Sequence, residues 1–451
     1  MQWAWGPSWR ASSRSRAAAE SAAACAARVG ATSRSVLPRV MPGGRSVELA
    51  SIPPPPTAPP NANHPLPGGS PCSMSSKTVT ALIRGVSKPY PETLWYRDSE
   101  EQVTDDDYDR YTASLDLTRL PDTIDARFGM VVERTAMRTW PTDDVVYKSR
   151  ETIDLDRFQE NGLFPSDAIV VLHDSADGKW CFAQSYNYAA WVRKDKIAIG
   201  DREQVLAYRQ ADPFLVIAGN RAHTNFTPET PAVSEVRLEM GARLPLFDPE
   251  DVGHNVDGQN PAASYIVQLP VRSEKGALEL RYALIARNQD VHLSYMPYTR
   301  RNLLHQAFKF LGERYGWGHS YNARDCTGLV LEVFKTFGFV MPRNSRQQGH
   351  SEIGENVRFP LDAPAEEKLA ALAGADVGDL LYSTGHVMLY LGCVDDEHYV
   401  IHDLTGSGWI DDQGNFRQGA MNSVSVTPLR KIHASPDATY FDQLYAIKRL
   451  R

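Results

Sequence analysis

The sequence is poor in cysteine. Its 451 residues contain five cysteines, an odd number, and none of them forms a CxxC pair; they are Cys25, Cys72, Cys181, Cys326 and Cys393. Structural zinc sites and disulfide frameworks both rest on paired or regularly spaced cysteines, so neither is expected to organise this chain. We therefore expect one reactive thiol among bystanders, with Cys181 buried in an apolar strand.

Long apolar runs and an excess of positive charge are also missing. No stretch approaches the roughly 18 to 20 apolar residues that span a bilayer, so we expect no integral membrane segment. The formal net charge is −7, which gives no reason to expect a nucleic-acid partner. Hydrophobic residues make up 42% of the chain, and its length predicts two to four domains.

The first 77 residues differ in composition from the rest. Residues 1–50 are rich in Ala, Ser and Arg but hold no apolar core of a secretory signal, and residues 51–75 are dominated by Pro, Gly, Ser and Asn. We predict a disordered leader over residues 1–77. Two questions stay open: whether translation starts downstream, at Met41 or Met74, and whether the protein is exported to the cell envelope or cytoplasmic.

The remaining chain divides into four segments by its patterns. Residues 78–125 predict short helices and extended chain, and residues 126–205 predict a small β-barrel with short strands near 168–172, 180–183, 188–192 and 196–199. Residues 206–295 predict a second small barrel. Residues 296–451 predict an α+β domain: a helix from Thr299 that ends at Gly316, a second helix at Cys326, and strands over 379–404 and 443–449.

Two residues in the last segment lie where a catalytic nucleophile and its base could be placed. Cys326 opens an amphipathic helix, and His386 follows sixty positions later at the start of an alternating apolar strand. The positive end of a helix dipole favours a thiolate, so we expect an activated Cys326 with His386 as its base. Backbone N–H groups at the start of the helix would form the oxyanion hole.

A hairpin argument selects a third residue. Residues 386–392 and 398–403 read as two antiparallel strands joined by a polar turn at 395–397. His402 then lies opposite or diagonal to His386, whereas His398 lies beside the turn, about 20 Å from it. His402 is therefore expected to orient His386, as in other catalytic triads.

Seven spaced elements in residues 296–450 agree in order with a known pattern. They are Tyr315-Gly316-Trp317-Gly318, Asp325-Cys326-Thr327-Gly328, Phe337-Gly338, Pro342-Arg343-Asn344-Ser345, Gln347 or Gln348, Gly378-Asp379-Leu380 and Gly385-His386-Val387. This segment resembles the NlpC/P60 family of cell-wall cysteine peptidases. Thr327 stands where the family usually has serine, and the spacing of the two histidines is longer than usual.

The resemblance extends to the β-rich middle of the chain, which is similar to the bacterial SH3 domains of the YkfC-type gamma-D-glutamyl-L-diamino acid endopeptidases. It implies a multidomain chain: two small β-barrel SH3-like domains, then an α+β papain-like NlpC/P60 domain. In that group an SH3 tyrosine and an acidic residue help to bind the free amine of the substrate. Tyr188 and Asp167 match these positions, Asp325 would pair with the same amine, and Thr327 and Ser345 match supporting hydroxyls.

The resemblance further implies a monomeric, metal-free and cofactor-free endopeptidase. Its substrates would be peptidoglycan stem peptides or muropeptides with a free N-terminal L-Ala, cut between gamma-D-Glu and meso-diaminopimelate or L-Lys. Two alternatives remain open at this stage. One is a non-catalytic wall-binding protein, and the other is an amidase or acyltransferase on the same fold.

Overall fold

The computed structural model describes residues 73–90, 94–96, 101–150 and 152–450. Ordered backbone begins before the expected Thr78, because Ser73–Ser75 (β1) is already a strand. Helix α1 (Ser76–Val86) follows directly, and the Ser75 hydroxyl caps it by accepting from the Thr78 N–H at 3.2 Å. The rest of the predicted leader lies outside the described residues.

The N-terminal segment packs on the first β domain. After β2 (Trp95–Tyr96), helix α2 (Asp105–Ser114) begins with a capping box between Thr104 and Asp107. Its Tyr111 shares one buried core with Val79 of α1 and with Trp140 and Trp191 of the β domain. The segment therefore completes the hydrophobic core of that domain.

The first β domain is built on a seven-stranded antiparallel sheet in the order β11-β4-β8-β9-β10-β5-β7. The predicted strands near 168, 180, 188 and 196 are confirmed, and Gly178 takes the positive φ of +70° that their hairpin turn needs. The strands are β3 (Thr123–Asp125), β4 (Arg127–Val131), β5 (Thr135–Arg138), β6 (Val146–Tyr147), β7 (Gln159–Leu163), β8 (Ala168–Asp174), β9 (Trp180–Gln184), β10 (Ala189–Arg193) and β11 (Ile197–Gly200).

The second β domain contains a five-stranded antiparallel sheet and a separate two-stranded hairpin. Its elements are α3 (Arg202–Gln210), β12 (Phe214–Ile217), β13 (Arg221–His223), β14 (Arg237–Glu239), β15 (Arg243–Phe247), α4 (Pro249–Val252), β16 (Ser264–Arg272), β17 (Leu278–Ala286) and β18 (Val291–Leu293). Strands β14 and β15 are separated by Gly241, which turns the chain at φ +79°.

The C-terminal domain places three helices and a short fourth against an antiparallel sheet. The helices are α5 (Arg300–Phe308), α6 (Cys326–Lys335), α7 (Ser345–His350) and α8 (Ala365–Ala373). The strands are β19 (Glu355–Arg358), β20 (Leu380–Ser383), β21 (His386–Val394), β22 (Glu397–Ile410), β23 (Phe416–Pro428), β24 (His433–Ser435), β25 (Ala438–Thr439) and β26 (Leu444–Arg449). Helix α5 ends earlier than predicted, and Gly312 at φ +81° then redirects the chain before Gly316.

A buried ionic cluster joins the three domains behind α6. Arg324 is 1% exposed and donates to Glu332 on α6 at 2.8 Å and to Glu239 of the second β domain at 2.6 Å. Arg134 of the first β domain donates to the same Glu239 at 2.7 Å. A buried arginine remains charged, and leaving it without carboxylate partners is strongly destabilising, so the cluster holds the three domains together.

Candidate functional site

Cys326 is the first residue of α6, as predicted, and it is buried. Asp325 caps the helix by accepting from the Gly328 N–H at 2.8 Å. Gly328 is required by packing: a Cβ at this position would lie 2.7 Å from His319 Nε2. The cysteine is thus held at a capped helix end on which a neighbouring loop packs closely.

The two predicted histidines meet on the sheet. His386 Nε2 lies 2.8 Å from His402 Nδ1, and His402 Nε2 lies 2.9 Å from the Thr427 hydroxyl. The ring of Tyr440 packs against both imidazoles, at centroid distances of 4.8 Å and 5.7 Å. Thr427 was not among the residues suggested by the sequence, because it lies on β23, a third strand.

The register of the hairpin places His402, and not His398, near His386. Strands β21 and β22 pair Leu389 with Ile401, and Asp395 and Asp396 make the turn with φ of +50° and +60°. His398 pairs with Cys393 beside that turn, and its Nδ1 lies 2.8 Å from the Tyr390 hydroxyl. His398 therefore belongs to a different contact, away from His386.

The Cys326 thiol and the imidazoles are neutral at rest. Burial raises the pKa of Cys326 to about 12, and the Asp325 carboxylate adds to this, although a hydrogen bond from the Val387 N–H lowers it. Burial lowers the pKa of His386 to about 4 and also lowers the pKa of His402. The expectation of a resting thiolate is therefore wrong: desolvation and nearby carboxylates outweigh the helix dipole.

Arg343 ties the helix start to the first β domain. It donates to Asp325 at 2.5 Å and 3.2 Å and to the Thr327 hydroxyl, and its Nε donates to Asn161 Oδ1 at 2.7 Å. Burial alone would raise the pKa of Asp325. The Arg343 guanidinium outweighs burial and holds that pKa well below its usual range.

The Asp325 carboxylate also accepts from Thr327, Gly328 and Gly318. A carboxylate offers about four lone-pair positions, so Asp325 has no acceptor site left for a substrate amine. Its predicted amine-binding role stays untested, and the geometry does not favour it.

Tyr188 is paired with a glutamate that the sequence analysis missed. Its hydroxyl donates to Glu160 Oε2 at 2.6 Å, and both side chains are half-buried. Burial raises the pKa of Glu160, while Tyr188 and Arg343 lower it. The Arg343 guanidinium acts electrostatically on both Glu160 and Tyr188, so the pair lies near the arginine that binds Asp325 at the start of the Cys326 helix.

The structure does not bring Asp167 to this pair. Its carboxylate accepts from the Phe164 N–H at 2.9 Å and lies 3.7 Å from Lys335 Nζ, at the far end of α6. The sequence pointed to Asp167 because it is the nearest match to the acidic residue of the SH3 domains that this segment resembles. Glu160 lies on β7, a strand with no apolar alternation to reveal it.

Two other predicted positions flank the site. Ser345 is buried and opens α7, two residues after Arg343. Trp317 holds the loop before Cys326 against the first β domain, since its indole N–H donates to the Gln159 carbonyl at 2.9 Å. That contact joins the loop before Cys326 to strand β7.

Asp403, beside His402, is a buried carboxyl group without a partner. Its exposure is 0%, and neither oxygen has a hydrogen bond within the part of the chain that the structure describes. Burial raises its pKa to about 9, with further contributions from Asp325 and Glu313. Asp403 is therefore protonated at neutral pH and adds no negative charge near Cys326.

Replacing Asp403 with asparagine is expected to stabilise the protein at alkaline pH. The unfolded chain releases this proton near pH 4, whereas the fold keeps it until about pH 9, so wild-type stability falls with rising pH between those values. Asp403→Asn removes the ionisation, and its gain in unfolding free energy should reach roughly 1–3 kcal/mol at pH 8. Urea unfolding at several pH values measures it, with Asp395→Asn in the exposed turn as the control. A gain that does not grow with pH would contradict the assignment.

Among residues 73–90, 94–96, 101–150 and 152–450, no group of three or more His, Cys, Asp or Glu side chains is placed to hold a metal ion. The same residues contain no helix long and apolar enough to cross a membrane.

Comparisons with known proteins agree with this architecture. Residues 146–193 match the SH3 domain of the SH3b1 type, and residues 312–430 match the NlpC/P60 family. No curated protein matches the chain significantly.

Two solved structures are similar to the chain. One is an NlpC/P60 endopeptidase from Photobacterium damselae subsp. piscicida, at 18% identity, with 83% of this chain and 84% of that chain covered and a TM-score of 0.66. The other is an NlpC/P60 family protein from Bacillus cereus ATCC 10987, at 17% identity, with 72% and 99% covered and a TM-score of 0.48. The chain thus contains an SH3 domain over residues 146–193, followed by an NlpC/P60 domain over residues 312–430.

Proposed function

We propose that this protein is a cysteine peptidase that hydrolyses peptidoglycan stem peptides between gamma-D-Glu and the diamino acid, meso-diaminopimelate or L-Lys. The substrate would carry a free N-terminal L-Ala. The observation that carries the proposal is the Tyr188–Glu160 hydrogen bond of 2.6 Å, contributed by the first β domain next to the start of the Cys326 helix.

The chemistry requires a base that is neutral at rest. Cys326 attacks the gamma-carbonyl of D-Glu while His386 Nδ1 takes the thiol proton, and the carbonyl becomes an oxyanion. The Gly328 N–H is already used by Asp325, so the N–H groups of Cys326 and Thr327 are the oxyanion donors. The protonated His386 then gives its proton to the leaving amine of the diamino acid. A water molecule, activated by the same imidazole, hydrolyses the thioester.

Recognition of the free amine falls to Glu160. A half-buried carboxylate next to Cys326 favours an ammonium group, which forms a charge-assisted hydrogen bond with it. The Trp317 contact closes the cleft on the side of the first β domain. A cleft closed on this side selects a short peptide that ends at its L-Ala and disfavours a stem still attached to glycan.

Product analysis tests the bond that is cut. The purified protein is incubated with L-Ala-gamma-D-Glu-meso-diaminopimelate or its L-Lys counterpart, and the products are identified by mass spectrometry. We expect the dipeptide L-Ala-gamma-D-Glu and the free diamino acid. Release of L-Ala alone, transfer to another acceptor, or no turnover would contradict the proposal.

The Thr427 hydroxyl is expected to set the tautomer of the histidine pair. If it accepts from His402 Nε2–H, then His402 Nδ1 must accept from His386 Nε2–H, which leaves His386 Nδ1 free as the base. Thr427→Val keeps the shape and removes the acceptor, so we expect kcat to fall about 10-fold at unchanged KM. The pH profile of kcat should change as well.

Thr427→Ser is the matched control, because it keeps the hydroxyl and should keep most of the activity. A loss in Thr427→Ser equal to that in Thr427→Val would mean that the methyl group, not the hydroxyl, matters. An effect on KM alone would also exclude the tautomer role.

A further inference from the structure

We propose that a cavity at the junction of the three domains binds a small dianion, a phosphate or a dicarboxylate. The cavity has a volume of about 110 Å³ and lies at the end of α6 opposite Cys326. Its charged lining comes from Asp167 of the first β domain, Arg209 and Arg243 of the second, and Lys335 of the C-terminal domain. At 1.5 Å per residue, the length of α6 separates Lys335 from Cys326 by about 14 Å, so this is a separate site.

Lys335 is the residue that points to a ligand. Its side chain is only 17% exposed, and its ammonium makes no hydrogen bond with any described residue. The nearest groups are the Asp167 carboxylate at 3.7 Å and the Tyr186 ring, whose centroid lies 5.2 Å away. An ammonium has three donors, and the Asp167 ion pair leaves them open toward the cavity, where an added anion can accept from them.

The second β domain supplies the other positive charges. Arg243 is held rigidly, because it donates to the carbonyls of Arg209 and Ala211 and stacks on the Phe214 ring at 3.8 Å. Arg209 is exposed, and its guanidinium has no partner among the described residues. Three cations and one carboxylate line the cavity, while Glu332 and Asp212 act on Lys335 and Arg243 from outside the lining. The lining is therefore positive, and a dianion is attracted more strongly than a monoanion.

Two glycines keep the cavity open. A Cβ at Gly241 would lie 2.5 Å from Lys335 Cβ, and a Cβ at Gly338 would lie 3.1 Å from the Tyr295 ring. Both glycines also have positive φ, of +79° and +85°. Any side chain at either position would displace a wall residue, so the space beside Lys335 is a built feature of the junction.

The size and lining of the cavity limit the ligand. A volume of about 110 Å³ accommodates a phosphate or a short dicarboxylate and excludes a disaccharide. Because the lining comes from all three domains, binding stabilises their arrangement, and the stability of the full chain reports it. The inference does not depend on the proposed peptidase activity.

Thermal unfolding of the full-length protein tests this site. Inorganic phosphate and malonate are titrated separately at constant ionic strength, with sodium chloride as the reference. We expect at least one of them to raise the wild-type Tm by about 2 °C or more at 10 mM. Which of the two acts identifies the ligand chemistry. In Lys335→Met the increase should disappear, whereas in Lys431→Met, at an exposed lysine, it should persist.

Arg209→Gln provides a second variant, since Arg209 is exposed and its replacement leaves the core intact. In this variant, about three to ten times more of the active dianion should be needed to produce the same increase in Tm. Equal Tm increases in wild type and Arg209→Gln, or no increase beyond that of chloride in wild type, would overturn the proposal.

Discussion

Cys326→Ala is expected to reduce release of L-Ala-gamma-D-Glu from the free tripeptide by at least about 10⁴-fold. The proposed reaction passes through a thioester, and no other described cysteine is near the histidine pair: Cys181 is buried in the first β domain and Cys393 is exposed beside the hairpin turn. Alanine removes the nucleophile and leaves the capping contact between Asp325 and Gly328 in place. Coupled liquid chromatography and mass spectrometry measures the loss.

Cys393→Ala is the matched control and should retain wild-type turnover, because this thiol lies at the opposite end of β21 from His386. The expected result separates a cysteine peptidase from a wall-binding protein. Equal turnover by Cys326→Ala and wild type would remove Cys326 as nucleophile. No turnover by wild type, together with retention on purified cell walls, would favour the binding protein.

Glu160→Gln is expected to lower kcat/KM for the free-amine tripeptide by about 100-fold, which corresponds to about 2.7 kcal/mol of lost ammonium recognition. The glutamine keeps the size of the side chain and can still accept from the Tyr188 hydroxyl, so the change acts on charge. N-acetylation of the L-Ala substrate removes the ammonium and should cost wild type a similar factor. When Glu160→Gln acts on the acetylated substrate, the loss in kcat/KM should be little greater than the loss from either change alone.

Glu133→Gln serves as the control on the same domain, since this glutamate is exposed and pairs with Lys196. Additive losses from Glu160→Gln and N-acetylation would mean that Glu160 does not face the amine. A large loss in Asp167→Asn with full activity in Glu160→Gln would restore the residue that the sequence suggested.

The difference between Glu160 and Asp167 shows which site residues a short-range sequence pattern can predict and which it cannot. The placement of Cys326 and of the two histidines could be predicted because each depends on one local element. Cys326 follows from a helix start, and His386 and His402 follow from the two strands of one hairpin. The position of Glu160, the carboxylate proposed to bind the amine, depends instead on how β7 packs against the loop at 317–322. That contact joins residues 159 and 317, and no short-range pattern contains it.

The charge states in the site also depend on tertiary packing, which local sequence patterns do not contain. A helix start predicts a lowered thiol pKa, and this expectation is wrong because Cys326 is buried and lies beside the Asp325 carboxylate. Arg343 belongs to the element Pro342-Arg343-Asn344-Ser345, but nothing in the sequence indicated its function. Its hydrogen bonds to Asp325, Thr327 and Asn161 become visible only when the domains are placed together.

The sequence by itself determined the order of domains, the helix that begins at Cys326 and the hairpin that carries His386 and His402, because periodicity, capping and turn residues act over a few positions. Only the tertiary structure decided that Glu160 pairs with Tyr188, that Thr427 completes the histidine chain, and that Asp167 and Lys335 lie at a separate cavity. Tyr188–Glu160 and Thr427–His402 each join residues within one domain, and Asp167–Lys335 joins two domains across about 170 positions. Tertiary packing within and between domains therefore sets these contacts, and burial then sets their charge.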